Sequence, residues 1–285
     1  MLGKSCYVSA MTTSAHRLAS GRGWQVSDVI CTASAADRPF EEEHRDFCVA
    51  AVTNGTFRYR AREGTAMLAP GALLLGNPGT CYECGHEHGA GDRCLSFHFG
   101  PAYMERIVAD VPGAKTLDFG TPRLPPLPAL VPLLAEAEAA REMADAGAFE
   151  ELALRIAGAA VTAACSATDR GRTPSRRDQK RVAEAVRRIE VDADRPISLA
   201  ELADETATSP YHFLRTFRHV AGMTPYQFLL RARLHRAAVR LRTSDQTISA
   251  IAFSAGFNDL STFNRRFRRL MGEAPGTYRA RRRRP

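Results

Sequence analysis

Three side chains in the first half of the chain combine metal-binding types with a spacing that brings them together. Cys84, His86 and His88 alternate along one short run, and Cys94 follows soon after. Because successive side chains of a β-strand point to opposite faces, residues two positions apart project the same way. A thiolate and two imidazoles on one face suit Zn²⁺, another soft transition metal or the carboxylate of a ligand.

The same run of residues also fits a role without a metal. The histidines can line the rim of an apolar effector pocket, together with His44, while the cysteines fill the core as small apolar residues. The sequence also lacks a second Cys-x-x-Cys pair that would complete a structural zinc site. An effector pocket rimmed by His44, His86 and His88 is therefore the preferred hypothesis.

A second group of residues with a chemical role belongs to a pattern that occurs twice near the C-terminal end. Six residues recur at an offset of 50 positions: Phe213, Arg215, Phe217, Arg218, Gly222 and Pro225 match Phe263, Arg265, Phe267, Arg268, Gly272 and Pro275. Repetition of one supersecondary unit explains these matches. Each copy predicts two helices around a short turn, with caps at Ser198 and Ser209 in the first copy and at Asn258 or Asp259 in the second.

The second helix of each copy has an aromatic face and a polar face. The aromatic residues recur with helical spacing and are expected in the core. The polar faces carry the candidate DNA-binding residues, which are Tyr211, Leu214, Arg215 and Arg218 in the first copy and Ser261, Asn264, Arg265 and Arg268 in the second. Arginine pairs bidentately with guanine and asparagine with adenine in the major groove. The pattern favours two recognition helices for double-stranded DNA, although a solvated arginine-rich surface would explain either helix alone.

The elements around these helices must hold them in register. Residues from Pro225 to Arg242 contain no internal Gly or Pro and predict one long connecting helix. Two recognition helices need a separation of about 34 Å to enter successive major grooves, which a stiff connector would provide. Residues 176–285 carry 23 basic and 11 acidic residues, a net charge of +12, whereas residues 1–175 carry 16 and 20, a net −4. This asymmetry is typical of a polyanion-binding module.

The first 120 residues predict short β-strands separated by turns. The Asn54-Gly55 pair predicts a type I′ hairpin that joins a strand at 47–52 to a strand at 57–60, and alternation at 95–99 predicts another strand. Closely spaced strands favour a small β-barrel or jelly roll. Two apolar stripes between residues 125 and 165 predict helices that pack on the barrel or pair with a second copy of the chain. Residues 166–178 are polar and predict a linker.

Composition excludes several classes of protein. At 285 residues the chain is long enough for two domains, and no apolar stretch approaches the length of a membrane span. The start lacks the apolar core of a signal peptide, and an odd count of seven cysteines indicates reduced thiols, so we expect a cytoplasmic protein. The sequence has no nucleophile elbow, phosphate loop or HExxH helix, which argues against an enzyme. Two rivals remain: turnover at the His/Cys cluster, and a DNA-repair or architectural protein without sequence preference.

The residues quoted for the two copies give the chain a family likeness. Over residues 180–280 it resembles the DNA-binding domain of the AraC/XylS family of bacterial transcription regulators, most closely in the second copy, at Ile248, Gly256, Phe257, Phe263, Arg265, Phe267, Gly272, Pro275 and Tyr278. The resemblance implies that base edges are faced by Pro210, Tyr211, Leu214 and Arg215 in the first helix and by Leu260, Ser261, Asn264 and Arg265 in the second. Leu214 departs from the pattern, because many relatives carry a polar base-reading residue there.

The resemblance also implies an α+β organisation in three parts. These are a cupin-like effector-sensing domain at 1–120, a helical dimerisation region and linker at 121–178, and a double helix-turn-helix domain at 179–285. A homodimer, RNA polymerase as a partner and an unidentified small-molecule effector belong to the same expectation. Activation and repression of transcription both stay open, and zinc at the Cys/His cluster is the one cofactor considered.

Overall fold

Short strands build the first part of the chain. The computed structural model describes residues 13–34, 36–37, 39, 41–86, 91–114, 118–166 and 174–281. The strands are β1 (Thr13–Gly21), β2 (Trp24–Cys31), β3 (Glu41–Glu43), β4 (Phe47–Gly55), β5 (Phe57–Ala61), β6 (Gly64–Leu68), β7 (Leu73–Gly76), β8 (Cys81–Gly85), β9 (Asp92–Phe99) and β10 (Arg123–Leu124).

These strands form two antiparallel sheets that share a core. The larger sheet has the order β1-β2-β9-β4-β7-β10, and the smaller has the order β3-β8-β5-β6. Buried side chains from both sheets meet in one cluster, with Cys48, Val52 and Leu74 from the larger sheet and Tyr59 and Leu68 from the smaller. The sheet-rich, cupin-like N-terminal domain is thereby confirmed, as two open sheets with the core between them.

The hairpin predicted at Asn54-Gly55 is wrong. β4 pairs with β7 and β9 in the larger sheet, whereas β5 pairs with β6 and β8 in the smaller one. Gly55 has a φ of 76° and lies opposite Asp92 of β9, where an added side chain would collide with the backbone at Gly91. The glycine is needed for this close approach and for the passage from one sheet to the other, and not for a two-residue turn.

Helices follow the sheets. They are α1 (Pro101–Asp110), α2 (Val131–Glu142), α3 (Ala148–Ser166), α4 (Arg176–Asp192), α5 (Leu199–Glu205), α6 (Pro210–Ala221), α7 (Pro225–Thr243), α8 (Ile248–Ser254), α9 (Leu260–Met271) and α10 (Pro275–Ala280). The prediction of a long connecting helix is confirmed by α7. Among the helices of the described residues, none combines the length and apolar composition needed to cross a bilayer.

Contacts within the chain divide it into two compact units. The first comprises residues 1–125 and 153–175, and the second comprises residues 126–152 and 176–285. The second unit thus contains α2, whose Val131 and Ala135 are fully buried in one apolar cluster with Leu234 and Ala238 of α7. The sequence predicted that a helix here would pack on the barrel or on a second copy. Instead, α2 packs on α7 of its own chain.

The helix starts in the second unit follow the predicted caps. Ser198 accepts a hydrogen bond from the Glu201 backbone at 3.1 Å, and the Glu201 carboxylate accepts one from the Ser198 backbone at 2.7 Å, which is a complete capping box. The Ser209 hydroxyl caps α6, with Pro210 in its first turn. In the second copy the cap is Asp259. The caps at Ser209 and Asp259 thus begin α6 and α9 as helices separate from α5 and α8, which precede them.

Candidate DNA-reading faces and a Cys-His-Asp cluster

The outer face of α9 is polar and open to solvent. Ser261, Asn264, Arg265 and Arg268 are all exposed. The Asp259 carboxylate accepts hydrogen bonds from the backbone N–H groups of Ser261 at 3.1 Å and Thr262 at 2.7 Å, so the first turn is fixed in place. These four side chains therefore project into solvent from a helix whose start is capped, and they are accessible to a binding partner.

The inner face of α9 is held by packed aromatic rings. Phe263 and Phe267 are fully buried, with ring centroids 5.4 Å apart. Phe257 meets Phe263 edge to face at 5.2 Å, and Tyr278 of α10 meets Phe267 in the same way at 5.4 Å. Because aromatic pairs of this geometry resist rotation of the helix, the core fixes which side of α9 faces outward.

The corresponding helix α6 has the same division of faces. Phe213 and Phe217 are fully buried, while Arg215 and Arg218 are exposed. The side chain of Tyr211 lies outside the described residues. The arginines of the two copies therefore occupy equivalent outer positions, as the repeat predicted.

Leu214 differs from its neighbours on α6. It is half-buried and lines an apolar cleft of about 410 Å³ in the first helix-turn-helix unit. The rest of the cleft wall is mostly apolar and consists of Ile189, Ile197, Ser198, Leu199, Leu202, Thr224, Pro225, Tyr226 and Leu229. Much of the Leu214 side chain thus contacts the protein itself, and only its outer part can serve the predicted contact with a base.

In the first unit, polar groups at the ends of three strands meet at one point. A thiol, an imidazole and a carboxylate from Cys31, His86 and Asp92 place one ligand atom each within 4.8 Å of the others. The His86 ring nitrogen Nε2 bonds to the Asp92 carboxylate, and both side chains are buried. Cys31 also shares a hydrogen bond with His86. The described residues thus hold a Cys-His-Asp donor set.

Protonation in this cluster follows from its hydrogen bonds. Burial by itself would lower the pKa of His86, but the hydrogen bonds to Asp92 and Cys31 raise it to about 9. Burial opposes ionisation of the Cys31 thiol, yet the hydrogen bonds from His86 and from the Ala33 backbone outweigh it, so the pKa of Cys31 is lowered. Near pH 7 the His86 ring therefore holds a second proton, which it must release before its nitrogen can bind a metal cation, whereas the Cys31 thiol loses its proton more readily than an ordinary thiol.

This grouping differs from the predicted metal set of Cys84, His86 and His88. Cys84 packs against the apolar cluster between the sheets, and burial together with the charges of Asp92 and Glu42 raises the pKa of its thiol. His88 lies outside the described residues. Of the two described members of the predicted trio, His86 belongs to the donor cluster and Cys84 does not.

His44, the third predicted rim residue, belongs to a different polar group. It is buried, shares a 2.8 Å hydrogen bond with the Tyr59 hydroxyl, and stacks on Tyr82 with ring centroids 4.1 Å apart. Burial and the nearby His98 lower the pKa of His44 to about 4, so its ring is neutral near pH 7. Ser96 and His98 of β9 form another interior pair, joined at 2.9 Å. Imidazoles and hydroxyls between the sheets can donate to and accept from a polar ligand.

Sequence reasoning missed Cys31 and Asp92 as partners of His86. The two residues are 61 positions apart but lie directly opposite each other where β2 pairs with β9. Only the register of these strands reveals their proximity. Ser96 and His98 did carry a signal, because the alternation at 95–99 places both on one face of the strand.

Comparison with known proteins adds two family matches. The profile of the AraC-like ligand binding domain matches residues 32–157, and that of a helix-turn-helix domain matches residues 202–281. The chain is 33% identical over 103 residues to the regulatory protein SoxS of Escherichia coli K12, a match that covers 36% of this chain and 96% of SoxS.

Two further likenesses each cover about a third of this chain. An AraC-like transcription regulator of Streptomyces lividans is 35% identical over 98 residues, which is 34% of this chain and about a third (32%) of that protein. The DNA-binding domain of AdpA, solved in complex with a target DNA, is 31% identical, with a TM-score of 0.35 and coverage of 36% of this chain and 92% of that one.

Proposed function

The chain belongs to the AraC family of DNA-binding transcription regulators, and we propose from this that it is a sequence-specific regulator of transcription controlled by an effector. In this proposal α6 and α9 enter successive major grooves of double-stranded DNA, and the N-terminal sheet domain binds the effector. Arg265 and Asn264 read bases, while Arg215, Arg218 and Arg268 contact bases or phosphates.

The observation that carries this proposal is the division of α9 into two faces. Phe263 and Phe267 are fully buried, and Asn264, Arg265 and Arg268 on the other side are exposed. Arginine and asparagine are the side chains that recognise guanine and adenine bidentately, and a helix is the element that a major groove admits. The repeat of the pattern in α6 and the net charge of +12 over residues 176–285 add to this support.

The effector is proposed to lie between the two sheets. The matched ligand-binding profile spans this region, and its interior holds the hydroxyl of Tyr59 and the imidazoles of His44 and His98. Such groups favour a small molecule with several hydrogen-bonding atoms over a purely apolar one. A metal ion at the Cys31–His86–Asp92 cluster is the second candidate effector.

A homodimer is proposed for the full-length protein, with RNA polymerase as its partner in transcription. The support is the family resemblance of the chain, and α3 offers one apolar side chain for such a contact, because Leu154 is 53% exposed. An apolar residue at a dimer contact is expected to be exposed in the isolated chain. Sedimentation over a range of concentrations tests this proposal, and a mass equal to one chain at every concentration would contradict it.

Selection of DNA from a random pool tests the central function. Full-length protein should recover sites with a shared asymmetric sequence that spans two major grooves. It should also bind the selected duplex at least about 10³-fold more tightly than random duplex at the same salt concentration. Equal affinity for selected and random duplex would instead support the non-specific architectural protein.

A further inference from the structure

We propose that Cys31, His86 and Asp92 form a mononuclear binding site for a borderline transition metal ion such as Zn²⁺, with one ligand atom from each residue. Cys31 is the last residue of β2, His86 directly follows β8, and Asp92 is the first residue of β9. Their ligand atoms lie within 4.8 Å of one another, so one ion between them can reach all three. The metal site itself does not depend on the proposed function, whereas an effect of the bound metal on the effector does.

The backbone fixes two of the three donors against each other. Cys31 and Asp92 are opposite residues in the antiparallel pairing of β2 with β9. Just before Asp92, Gly91 has a φ of 82°, and its N–H donates to the Ala33 carbonyl at 3.0 Å. A side chain at residue 91 would collide with the Cys31 backbone, so the two strand ends can approach this closely only because residue 91 is glycine. Sheet pairing therefore fixes Cys31 and Asp92 against each other, and His86 joins them from the end of β8.

Neighbouring side chains contact all three donor residues, as is usual for the ligands of a metal site. The Thr13 hydroxyl donates to the Cys31 sulfur at 3.6 Å, and the Cys94 thiol donates to the second Asp92 oxygen at the same distance. Phe57 stacks on the His86 ring with centroids 5.9 Å apart. Such contacts orient the ligands and exclude bulk water from one side of the ion.

The donor types select the class of ion. A sulfur, a nitrogen and an oxygen ligand suit Zn²⁺ and similar divalent transition metals, whereas Mg²⁺ and Ca²⁺ prefer oxygen ligands alone. When the ion binds, the Cys31 thiol and the His86–Asp92 pair give up their protons to solvent, and the His86 nitrogen and the Asp92 oxygen exchange their mutual hydrogen bond for bonds to the metal. Three protein ligands leave a fourth tetrahedral position for water or a ligand atom.

The position of the site would let a bound ion link the two sheets. His86 follows a strand of the smaller sheet, while Cys31 and Asp92 belong to the larger sheet. A bound ion would therefore join the two sheets at one end of their shared core. Because the proposed effector lies between the same sheets, metal loading would stabilise the first unit and restrict access to its interior.

The test uses the full-length protein stripped with a chelator and titrated with Zn²⁺, with Co²⁺ as a spectroscopic probe. We expect one ion per chain and a strong thiolate-to-cobalt charge-transfer band. Cys31→Ser should abolish that band. Loss of a residue that only supports a metal ligand lowers metal affinity by roughly 10- to 100-fold. Because Asp92 is proposed as a direct ligand, Asp92→Asn should lower the affinity by more than this. Cys81→Ser removes an exposed thiol at the start of β8 and is the matched control, while Cys84→Ser tests the ligand predicted from sequence. Both should keep the band.

Wild-type protein that binds less than one ion, or binds cobalt without a thiolate band, would overturn the site. Loss of the band in Cys84→Ser but not in Cys31→Ser would also overturn it. Circular dichroism of each variant checks that the sheets still form, and the wild-type spectrum decides the question if a variant fails to fold. Selection of DNA by metal-free and metal-loaded protein is measured separately, so failure of the metal site and failure of DNA recognition give different results.

Discussion

Glu138 of α2 lies 3.4 Å from His235 of α7, measured from the carboxylate oxygen Oε1 to the ring nitrogen Nε2. A second pair joins the same helices, with Glu136 and Arg242 at 3.9 Å, and the Arg242 guanidinium in turn lies over the Tyr278 ring at 5.5 Å. Polar contacts thus run from α2 across α7 to α10, beside the apolar contact of Ala135. Helix α2 is therefore part of the unit that carries α6 and α9.

A charge placed in this contact should destabilise the second unit. Ala135 is fully buried against α7, so Ala135→Asp forces an unpaired carboxylate into an apolar cluster, and we expect a loss of about 3 kcal/mol or more. Glu142→Ala at the exposed end of α2 is the control and should change stability by less than about 0.5 kcal/mol. Urea unfolding followed by circular dichroism measures both. Equal stability of the two variants would show that α2 does not support α7.

The aromatic core of α9 gives a sharper comparison. Phe267 is fully buried between Phe263 and Tyr278, whereas Phe253 of α8 is 55% exposed. Phe267→Ala should cost about 3–5 kcal/mol of folding free energy, and Phe253→Ala only a small fraction of that. Thermal unfolding monitored by circular dichroism distinguishes them. A similar loss in both variants would mean that the aromatic contacts of Phe267 are not what orients α9.

Acid should destabilise the first unit through His44. Its pKa is lowered to about 4 by burial and by His98, against an ordinary value near 6.5. Between these two pH values the unfolded chain binds a proton that the folded chain lacks, so stability falls as the pH decreases through this window. The resulting loss of folding free energy from His44 is about 3 kcal/mol at most, because a tenfold change in proton affinity corresponds to about 1.4 kcal/mol.

Substitution of His44 checks this assignment. His44→Gln keeps a polar side chain beside Tyr59 and Tyr82 but removes the titration, so urea unfolding of the variant should depend less on pH between about 6.5 and 4. A residual slope is expected from His98, because burial lowers its pKa too. An unchanged slope would show that His44 is already protonated or exposed in the folded protein.

The C-terminal fold could be predicted because its signals are local. Capping residues such as Ser198 and Asp259 act within one turn, and the spacing of Phe263 and Phe267 assigns the inner face of a helix without knowledge of any other element. The second copy of the pattern gives independent support for the same assignment of helices and faces. Local signals show that one face of a helix is apolar, but they do not show which other element packs against that face. For this reason the contact of α2 with α7 could not be predicted from the sequence.

The N-terminal site could be predicted only in part because strand pairing is not local. Asn54-Gly55 carries a strong turn signal, yet tertiary pairing with Asp92 decides its conformation. Pairing of β2 with β9 brings Cys31 to Asp92, and His86 meets them from the end of β8, while Cys84 packs against the apolar cluster between the sheets. Alternation along one strand assigns residues to faces, but it does not say which distant strand lies next to them.

Affinity of the protein for its selected duplex and for all single-base variants of that duplex tests the DNA-reading proposal most directly. The measurement is made with wild type, Arg265→Ala and Arg62→Ala, where Arg62 is an exposed arginine of the sheet domain and controls for the lost charge. We expect Arg265→Ala to lose about 1–3 kcal/mol on the selected duplex and to lose discrimination at one base position only, while Arg62→Ala keeps the wild-type pattern. Uniform weakening by Arg265→Ala on every duplex, with the base preferences intact, would contradict base reading by the outer face of α9.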